Sequence, residues 1–88
     1  MDEQKTLMEF PCTFPIKIIG KNSWDFVSDV KKIIFTHFLD TPEEQISYKQ
    51  SETSKYIAIT VVLYVETQAS LDALYQELSA HPDMHMVL

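Results

Sequence analysis

Four side chains of this sequence could support covalent catalysis, one thiol and three imidazoles. Cys12 is the only cysteine, and the bases available to it are His37, His81 and His85. A nucleophilic thiolate needs an imidazole within hydrogen-bond reach. Prolines lie on both sides of Cys12, which predicts an extended arm and not the helix N-terminus that favours a thiolate. We therefore expect an unreactive thiol and no catalytic residue, with an enzyme subunit of unrecognised site as a distant alternative.

The histidines also supply the one spacing that resembles a metal site. His81 and His85 are four residues apart, as in a helical zinc pair, but Pro82 between them opposes a helix. No cysteine or carboxylate stands at a spacing that would complete the ligand set. The neighbouring acids Glu43 and Glu44 are expected to form a solvated face. The sequence thus predicts no metal and no cofactor.

Tyr56 and Tyr64 are the aromatic residues with which a sheet could stack nucleic-acid bases. The 13 acidic and 7 basic residues give a net charge of −6, however. Such a surface repels phosphate groups and anionic lipids. The longest apolar run, residues 61–65, is far shorter than the roughly 20 residues of a membrane helix. We expect neither nucleic acid nor membrane as a partner, and a cytoplasmic location.

The best small-molecule candidate is the segment that contains the only glycine, Gly20. It joins an apolar run to a predicted helix, whose free backbone amides would attract an anion, and a lysine adds positive charge. Glycine here permits a positive φ or a close backbone approach. An ordinary turn remains the alternative. The candidate ligand-binding residues are Gly20, Lys21, Asn22 and Ser23.

These residues must be positioned by elements that the hydrophobic periodicity predicts. Residues 1–13 form an extended arm from which Leu7 and Phe10 pack onto the body. A first strand follows from Phe14, and Asn22 caps a helix that ends near Leu39. Strands are expected over residues 45–50, 55–66 and 84–88, and a second helix is capped by Thr67. The helices have apolar stripes, at Phe26, Val27, Val30, Ile33, Ile34 and Phe38 in the first and at Leu71, Leu74, Tyr75 and Leu78 in the second.

The predicted order is strand, helix, strand, strand, helix, strand, which is typical of a ferredoxin-like βαββαβ sandwich of the α+β class. Right-handed crossovers give a four-stranded antiparallel sheet of order 4-1-3-2 with both helices on one face. The 88 residues form a single domain, 1–88. A core this small favours burial of further apolar surface against a partner.

The face of the sheet away from the helices is the expected interface. Alternation along the third strand turns one set of residues toward the helices and leaves a largely apolar set on the other side. An exposed apolar patch of this kind usually marks an interaction surface. We predict that a protein partner covers it, most simply a second copy of the chain in a twofold dimer. The predicted interface residues are Ile19, Tyr56, Ala58, Thr60, Val62, Tyr64 and Val87.

Both ends of the sequence resemble a known family. Residues 7–11 (LMEFP) and 14–20 (FPIKIIG) resemble the "LLEFP…F.YKVMG" opening of the YbeD-like family of small uncharacterised bacterial proteins, and residues 74–78 (LYQEL) and 86–88 (MVL) resemble its "LYEEL" and terminal "MVL". The chain departs from that pattern near Thr53 and Ser54, where a glycine is expected. It also departs at His85, which stands where the family has an arginine.

The resemblance implies a fold similar to regulatory ACT domains and a chain without catalytic residues. We accordingly expect a non-enzymatic regulatory or protein-interaction domain. The alternative is an ACT-type domain that senses a small molecule. A sensor should have a pocket beside Gly20 and the start of the first helix, whereas an interaction domain should have a flat apolar patch.

Overall fold

Four strands and two helices alternate in the order that the periodicity predicts. The computed structural model describes residues 9–88. The elements are β1 (Cys12–Lys21), α1 (Trp24–His37), β2 (Ile46–Gln50), β3 (Tyr56–Val65), α2 (Gln68–Ser79) and β4 (Met84–Val87), with a short 3₁₀ turn at Glu43–Gln45 before β2.

The strands form one antiparallel sheet in the order β2-β3-β1-β4. This is the predicted order, with β1 and β3 at the centre and β2 and β4 at the edges. Each helix connects two strands that are not neighbours, so right-handed crossovers place both helices on the same face. The predicted ferredoxin-like α+β fold is confirmed.

The core lies between the helices and one face of the sheet. Along β3 every second residue is buried, because successive side chains of a strand point to opposite faces. The matching residues of β1 are Ile16 and Ile18, and the helices contribute a stripe at helical spacing. The buried helix residues are Phe26, Val30 and Ile34 from α1 and Leu71, Leu74 and Leu78 from α2.

The predicted N-cap residue is correct for α2 and wrong for α1. Thr67 caps α2, where its hydroxyl accepts a hydrogen bond from the Ser70 amide. The prediction that Asn22 caps α1 is wrong, because the cap is Ser23, whose hydroxyl accepts from the Phe26 amide at 3.1 Å. The Asn22 side chain instead donates to the carbonyl of Ser54 at 2.9 Å. Ser54 has a φ of 60°, which serves the turn between β2 and β3.

The prediction that the N-terminal arm extends to residue 13 is wrong, because β1 begins at Cys12. Cys12 and Thr13 already belong to β1, where they pair with Val65 and Tyr64 of β3. Phe10 packs against the core as predicted, whereas Leu7 lies outside the described residues. Pro15 is tolerated inside a central strand because backbone pairing on the β4 side of β1 reaches only as far as Lys17, which pairs with Leu88, so the missing amide faces no partner strand.

A β-bulge in β4 changes which face its last residues occupy. Ile19 pairs with Met86 and Gly20 with Met84, so His85 is an extra residue on the β4 side. Without the bulge, Met84 on the core side would put Val87 on the open face. The extra residue reverses this alternation, since side-chain facing has a period of two.

The prediction of Val87 on the helix-free face is therefore wrong. Val87 pairs with the buried Ile18 and packs against the core. Met86 takes its place on the open face, opposite Ile19.

Candidate functional site

The helix-free face of the sheet, which we call the open face, is an apolar surface with its most accessible aromatic groups at the two ends of β3. The side chains of Ala58, Thr60 and Val62 lie along its centre and are half-buried. Tyr56 and Tyr64 are more exposed, the latter by 58%. Neighbouring strands add Pro15 and Ile19 from β1 and Met86 from β4.

The structure brings six of the seven predicted interface residues together on this face. Ile19 lies across from Ala58 in the β1–β3 register. The remaining five are alternate residues of β3. The seventh, Val87, is replaced by Met86, which is 43% exposed.

Charges are unevenly distributed over the open face. Within residues 9–88, the strands contain no aspartate or glutamate, although the whole chain carries 13. Lys21 pairs with Tyr56 and Lys49 with Ala58, so both lie near one end of β3; we call this the basic end. Lys17 lies opposite Thr60, near the centre.

Carboxylates stand at the other end of the same face. Glu66 directly follows β3, and a small cleft there is lined by Thr13, Val62, Tyr64, Asp40 and Glu66 among its residues. Asp40 belongs to the loop after α1. We call Asp40 and Glu66 the acidic end. The open face therefore carries positive charge at one end and negative charge at the other, and the mainly apolar groups between them include one charged residue, Lys17.

The predicted ligand segment has most of its amides engaged inside the protein. The amide of Lys21 donates to Asp83, that of Asn22 to Lys55, and that of Ser23 to Lys21. Gly20 lies within β1 and has no positive φ. Glycine is needed here because other groups approach its Cα closely: Phe26 and the carbonyl oxygen of Asp83 occupy the space that a Cβ would take. The amides of Lys21, Asn22 and Ser23 are thus not free to hold an anion.

Asn22 and Ser23 nevertheless border a groove, most of whose other lining residues are not among the predicted site residues. It is open, measures about 1080 Å³, and runs between α1 and the edge strand β2. Its apolar lining includes Trp24, which is 82% exposed, and Leu39, which is 80% exposed. The signal was present in the sequence as a second apolar stripe on the first helix. The further apolar lining residues are Val27, Phe35, Tyr48 and Ile57.

One ion pair crosses the groove. Lys31 Nζ lies 2.9 Å from Glu43 Oε1, which ties α1 to the turn before β2. The hydrogen bond to Glu43 raises the pKa of the Lys31 ammonium, and Tyr48 nearby acts in the same direction. Lys31 is therefore held in its charged form next to an apolar surface. Its charge is offset by Glu43.

The three histidines make separate contacts and do not converge. His37 Nε2 lies 2.6 Å from Glu77 of α2, and His85 stacks on Tyr56 with ring centroids 5.1 Å apart. His81 Nε2 donates to Asp29 at 2.9 Å while its Nδ1 accepts from the Asp83 amide at 3.0 Å. Both ring nitrogens of His81 are therefore occupied, and this carboxylate–imidazole pair joins α1 to the turn before β4.

The described part of the chain offers neither a metal cluster nor a membrane-spanning helix. In residues 9–88, no three histidine, cysteine or acidic side chains are arranged to hold a metal ion. None of the helices in this range has the length and apolar character needed to cross a membrane.

A family profile and individual relatives both match the sequence over nearly its whole length. The profile of the family described as "Protein of unknown function (DUF493)" matches residues 5–88. A UPF0250 protein of Chromobacterium violaceum is 34% identical over 87 residues, with 99% of this chain and 98% of the relative covered. A UPF0250 protein of Neisseria meningitidis is 37% identical over 91 residues, with both chains covered completely.

Solved structures with the same fold are more distant in sequence. Protein HP0495 from H. pylori superposes with a TM-score of 0.77 at 20% identity, covering 97% of this chain and 89% of that one. The ACT domain from GTP pyrophosphokinase of Chlorobium tepidum has a TM-score of 0.68 at 17% identity, covering 86% and 94%. At these identities the likeness describes the fold.

Proposed function

We propose that this chain, which belongs to the DUF493 family of proteins of unknown function, is a non-enzymatic protein-interaction domain that binds through its open face. The observation that carries the proposal is the apolar centre of that face, on Ile19, Ala58, Val62 and Met86. A contiguous apolar patch on a small soluble domain usually marks an interface. The partner that we propose is a second copy of this chain in a twofold dimer. A cytoplasmic location stays a prediction.

The small size of the domain supports this reading. Its core consists of a single layer between the sheet and two helices. A domain of this length buries a smaller fraction of its surface than a larger one, so burial of a second sheet face adds stability. Face-to-face sheet packing is a common arrangement in which strands of the two sheets stay within about 30° of each other.

Val62→Lys is expected to weaken the dimer enough to give a monomer at micromolar concentration. In a twofold dimer the two copies of a central residue lie close together, so this change puts two unpaired charges into a desolvated centre. We expect association to weaken by about tenfold or more. Sedimentation at micromolar concentration should give a dimer for the wild type and a folded monomer for the variant.

Ala73→Lys is the matched control for this experiment. It makes the same kind of apolar-to-lysine change at an exposed residue of α2, on the opposite side of the molecule. The control should remain dimeric, and thermal melts should confirm that both variants are folded. A wild type that sediments as a monomer, with freely exchanging sheet amides, would contradict the homodimer.

An ACT-type small-molecule sensor is the second candidate, and the groove is the observation that favours it. Its lining begins at Asn22 and Ser23, at the start of α1, where a sensor was expected to have its pocket. Because Glu43 offsets the charge of Lys31, Lys32 supplies the remaining positive charge of the lining, and together with the apolar side chains it suits a ligand that is apolar and anionic. The likeness to the ACT domain of GTP pyrophosphokinase supports this candidate at the level of the fold.

Trp24 provides a direct measurement for the sensor candidate. It is the only tryptophan of the chain and lines the groove. Anilinonaphthalene sulfonate, an apolar anion, should quench Trp24 emission saturably if the groove binds such ligands. Leu39→Glu should remove the quenching because it places a like charge beside the ligand, whereas Val62→Lys on the open face should leave it unchanged. Linear, unsaturable quenching would count against the sensor.

A further inference from the structure

We propose that two copies of this chain pack their open faces with the strands running in opposite directions, so that the basic end of each face lies on the acidic end of the other. This inference rests on the proposed function, because it names the orientation and the charge contacts of the same face. It assigns Lys21 to Glu66 of the second copy and Lys49 to Asp40 of the second copy.

The positions of the charged residues along β3 carry the inference. Lys21 lies level with Tyr56, at one end of the strand, and Glu66 lies just beyond the other end. A twofold axis between the two faces and perpendicular to the strands reverses the strand direction in the second copy. If it passes midway between residues 56 and 66, it places the Lys21 end of each copy on the Glu66 end of the other. The midpoint falls between Thr60 and Val62, which is also the middle of β3 (Tyr56–Val65). The axis that pairs the charges is thus the axis that centres the apolar patch.

The second contact follows from the short edge strand. β2 pairs only with the part of β3 between Ile57 and Val61, so the β2 side of the acidic end is left to the loop after α1. Asp40 belongs to this loop and lines the cleft beside Val62 and Tyr64. Lys49 is on β2, level with Ala58. Crossing the strands with the twofold axis therefore brings Lys49 over Asp40 of the second copy.

The alternative orientation lacks this complementarity. An axis parallel to the strands keeps each end of β3 over the same end of the second copy. Lys21 and Lys49 would then face a basic end, and Glu66 would face carboxylates. Like charges held together at an interface oppose association. The strands of the face contain no carboxylate that could pair with Lys21 and Lys49 in this orientation. The antiparallel orientation is therefore favoured.

Nucleic acid suits the open face less well than a second copy. Tyr56 and Tyr64 are separated by eight residues of strand, which is about 26 Å at roughly 3.3 Å per residue. Bases stacked in succession need aromatic groups much closer together. Tyr56 already contacts the His85 ring, and the net charge of −6 repels a phosphate backbone.

Substitution of Lys17 distinguishes two possible partners of the open face, a second copy of this chain and a different, acidic protein. It lies opposite Thr60, beside the proposed axis, so its nearest charged neighbour across the interface is its own copy. Lys17→Met should therefore tighten the dimer, by about threefold. If the natural partner of the face were an acidic protein, loss of Lys17 should weaken binding.

A charge exchange between two separately purified variants tests the orientation. Lys21→Glu alone places a glutamate against Glu66 at both contacts, and Glu66→Lys alone places a lysine against Lys21 at both. Each variant should dimerise about tenfold more weakly than the wild type. Mixing the two should restore association to about the wild-type level, because both contacts of the mixed dimer are then of opposite charge.

The readout is sedimentation of each variant and of the mixture, at low and at high salt. Salt should reduce the differences among variants, since exposed charge pairs are screened. Both substitutions are at exposed positions, and thermal melts check that each variant is folded. Lys32→Glu, an exposed lysine on α1, is the matched control and should not change the dimer.

The possible outcomes test the orientation, the homodimer and the kind of partner separately. Weakened single variants that recover on mixing support the antiparallel dimer. A wild-type dimer that is disrupted by Val62→Lys but unaffected by the charge variants, or not restored by mixing, overturns the orientation and leaves the proposed interface intact. A monomeric wild type overturns the homodimer itself. A wild type that co-sediments with single-stranded RNA, and loses it on Lys21→Glu, would assign the face to nucleic acid.

Discussion

Replacing Gly20 with alanine is expected to destabilise the folded domain by about 3 kcal/mol, at the upper end of the usual cost of overpacking a core. The new methyl group would collide with the Phe26 ring and lie 2.7 Å from the carbonyl oxygen of Asp83. The ring is fully buried, so in a close-packed interior it can move only by displacing its neighbours. The Asp83 carbonyl accepts from the Lys21 amide, so it is also held in place.

The backbone of Gly20 makes the interpretation of this substitution simple. Its φ is not positive, so alanine meets no conformational penalty, and the loss of unfolded-state freedom favours the variant by a few tenths of a kcal/mol. The whole loss is then steric. For a domain of this size it corresponds to a fall in melting temperature of roughly 10–20 °C, measurable by circular dichroism.

A second substitution identifies the colliding group. Phe26→Leu removes the ring atoms nearest to the new methyl group, so it should cost less in the Gly20→Ala background than in the wild type. A double-mutant cycle should give a coupling of about 1 kcal/mol or more in favour of the pair. Strictly additive effects would show that the contact with Asp83, and not the ring, limits the space at Gly20.

The fold follows from the sequence because its elements agree at several levels. Alternation along β3 assigns its buried face, and the Leu71–Leu74–Leu78 stripe with the Thr67 cap fixes α2. Short connections and right-handed crossovers then leave one sheet order. Membership of the family confirms the resemblance to YbeD-like proteins that the two ends of the chain indicate.

Hydrophobic periodicity does not predict which β4 residue lies on the open face or which residue caps α1. The bulge at His85 is set by pairing between β4 and β1, and four residues of strand give no local signal for it. One extra residue is enough to exchange Val87 for Met86. Likewise, Asn22 and Ser23 are both good cap residues, and the contact of Asn22 with Ser54, 32 residues away, decides between them.

The charge pattern also needs the register. In the sequence, Lys21, Lys49 and Glu66 are scattered among acidic and basic neighbours. Only the pairing of β1 and β2 with β3 shows that the lysines share one end of a face and the glutamate lies at the other. The sequence predicts an apolar face; the structure adds the polarity from which an orientation can be argued.

Replacing His81 with alanine is expected to destabilise the domain by about 2–3 kcal/mol, combining the loss of a packed ring with the loss of two hydrogen bonds. The ring side chain is only 11% exposed and contacts Phe26 edge-on, with centroids 5.3 Å apart. Nδ1 accepts from the Asp83 amide, so in the neutral ring the proton is on Nε2 and is donated to Asp29. His81→Ala removes the group that joins α1 to the turn before β4.

His37→Ala is the matched control, because it removes the other histidine that is paired with a carboxylate. The His37–Glu77 contact is shorter, at 2.6 Å, but Glu77 is half exposed and His37 is twice as exposed as His81. An exposed pair is worth about 0.5 kcal/mol, so burial and not distance should rank the two variants. Chemical denaturation gives both losses, and long-range ¹⁵N–¹H spectra report which ring nitrogen of His81 carries the proton. Equal losses in the two variants, or a proton on Nδ1 of neutral His81, would contradict this account.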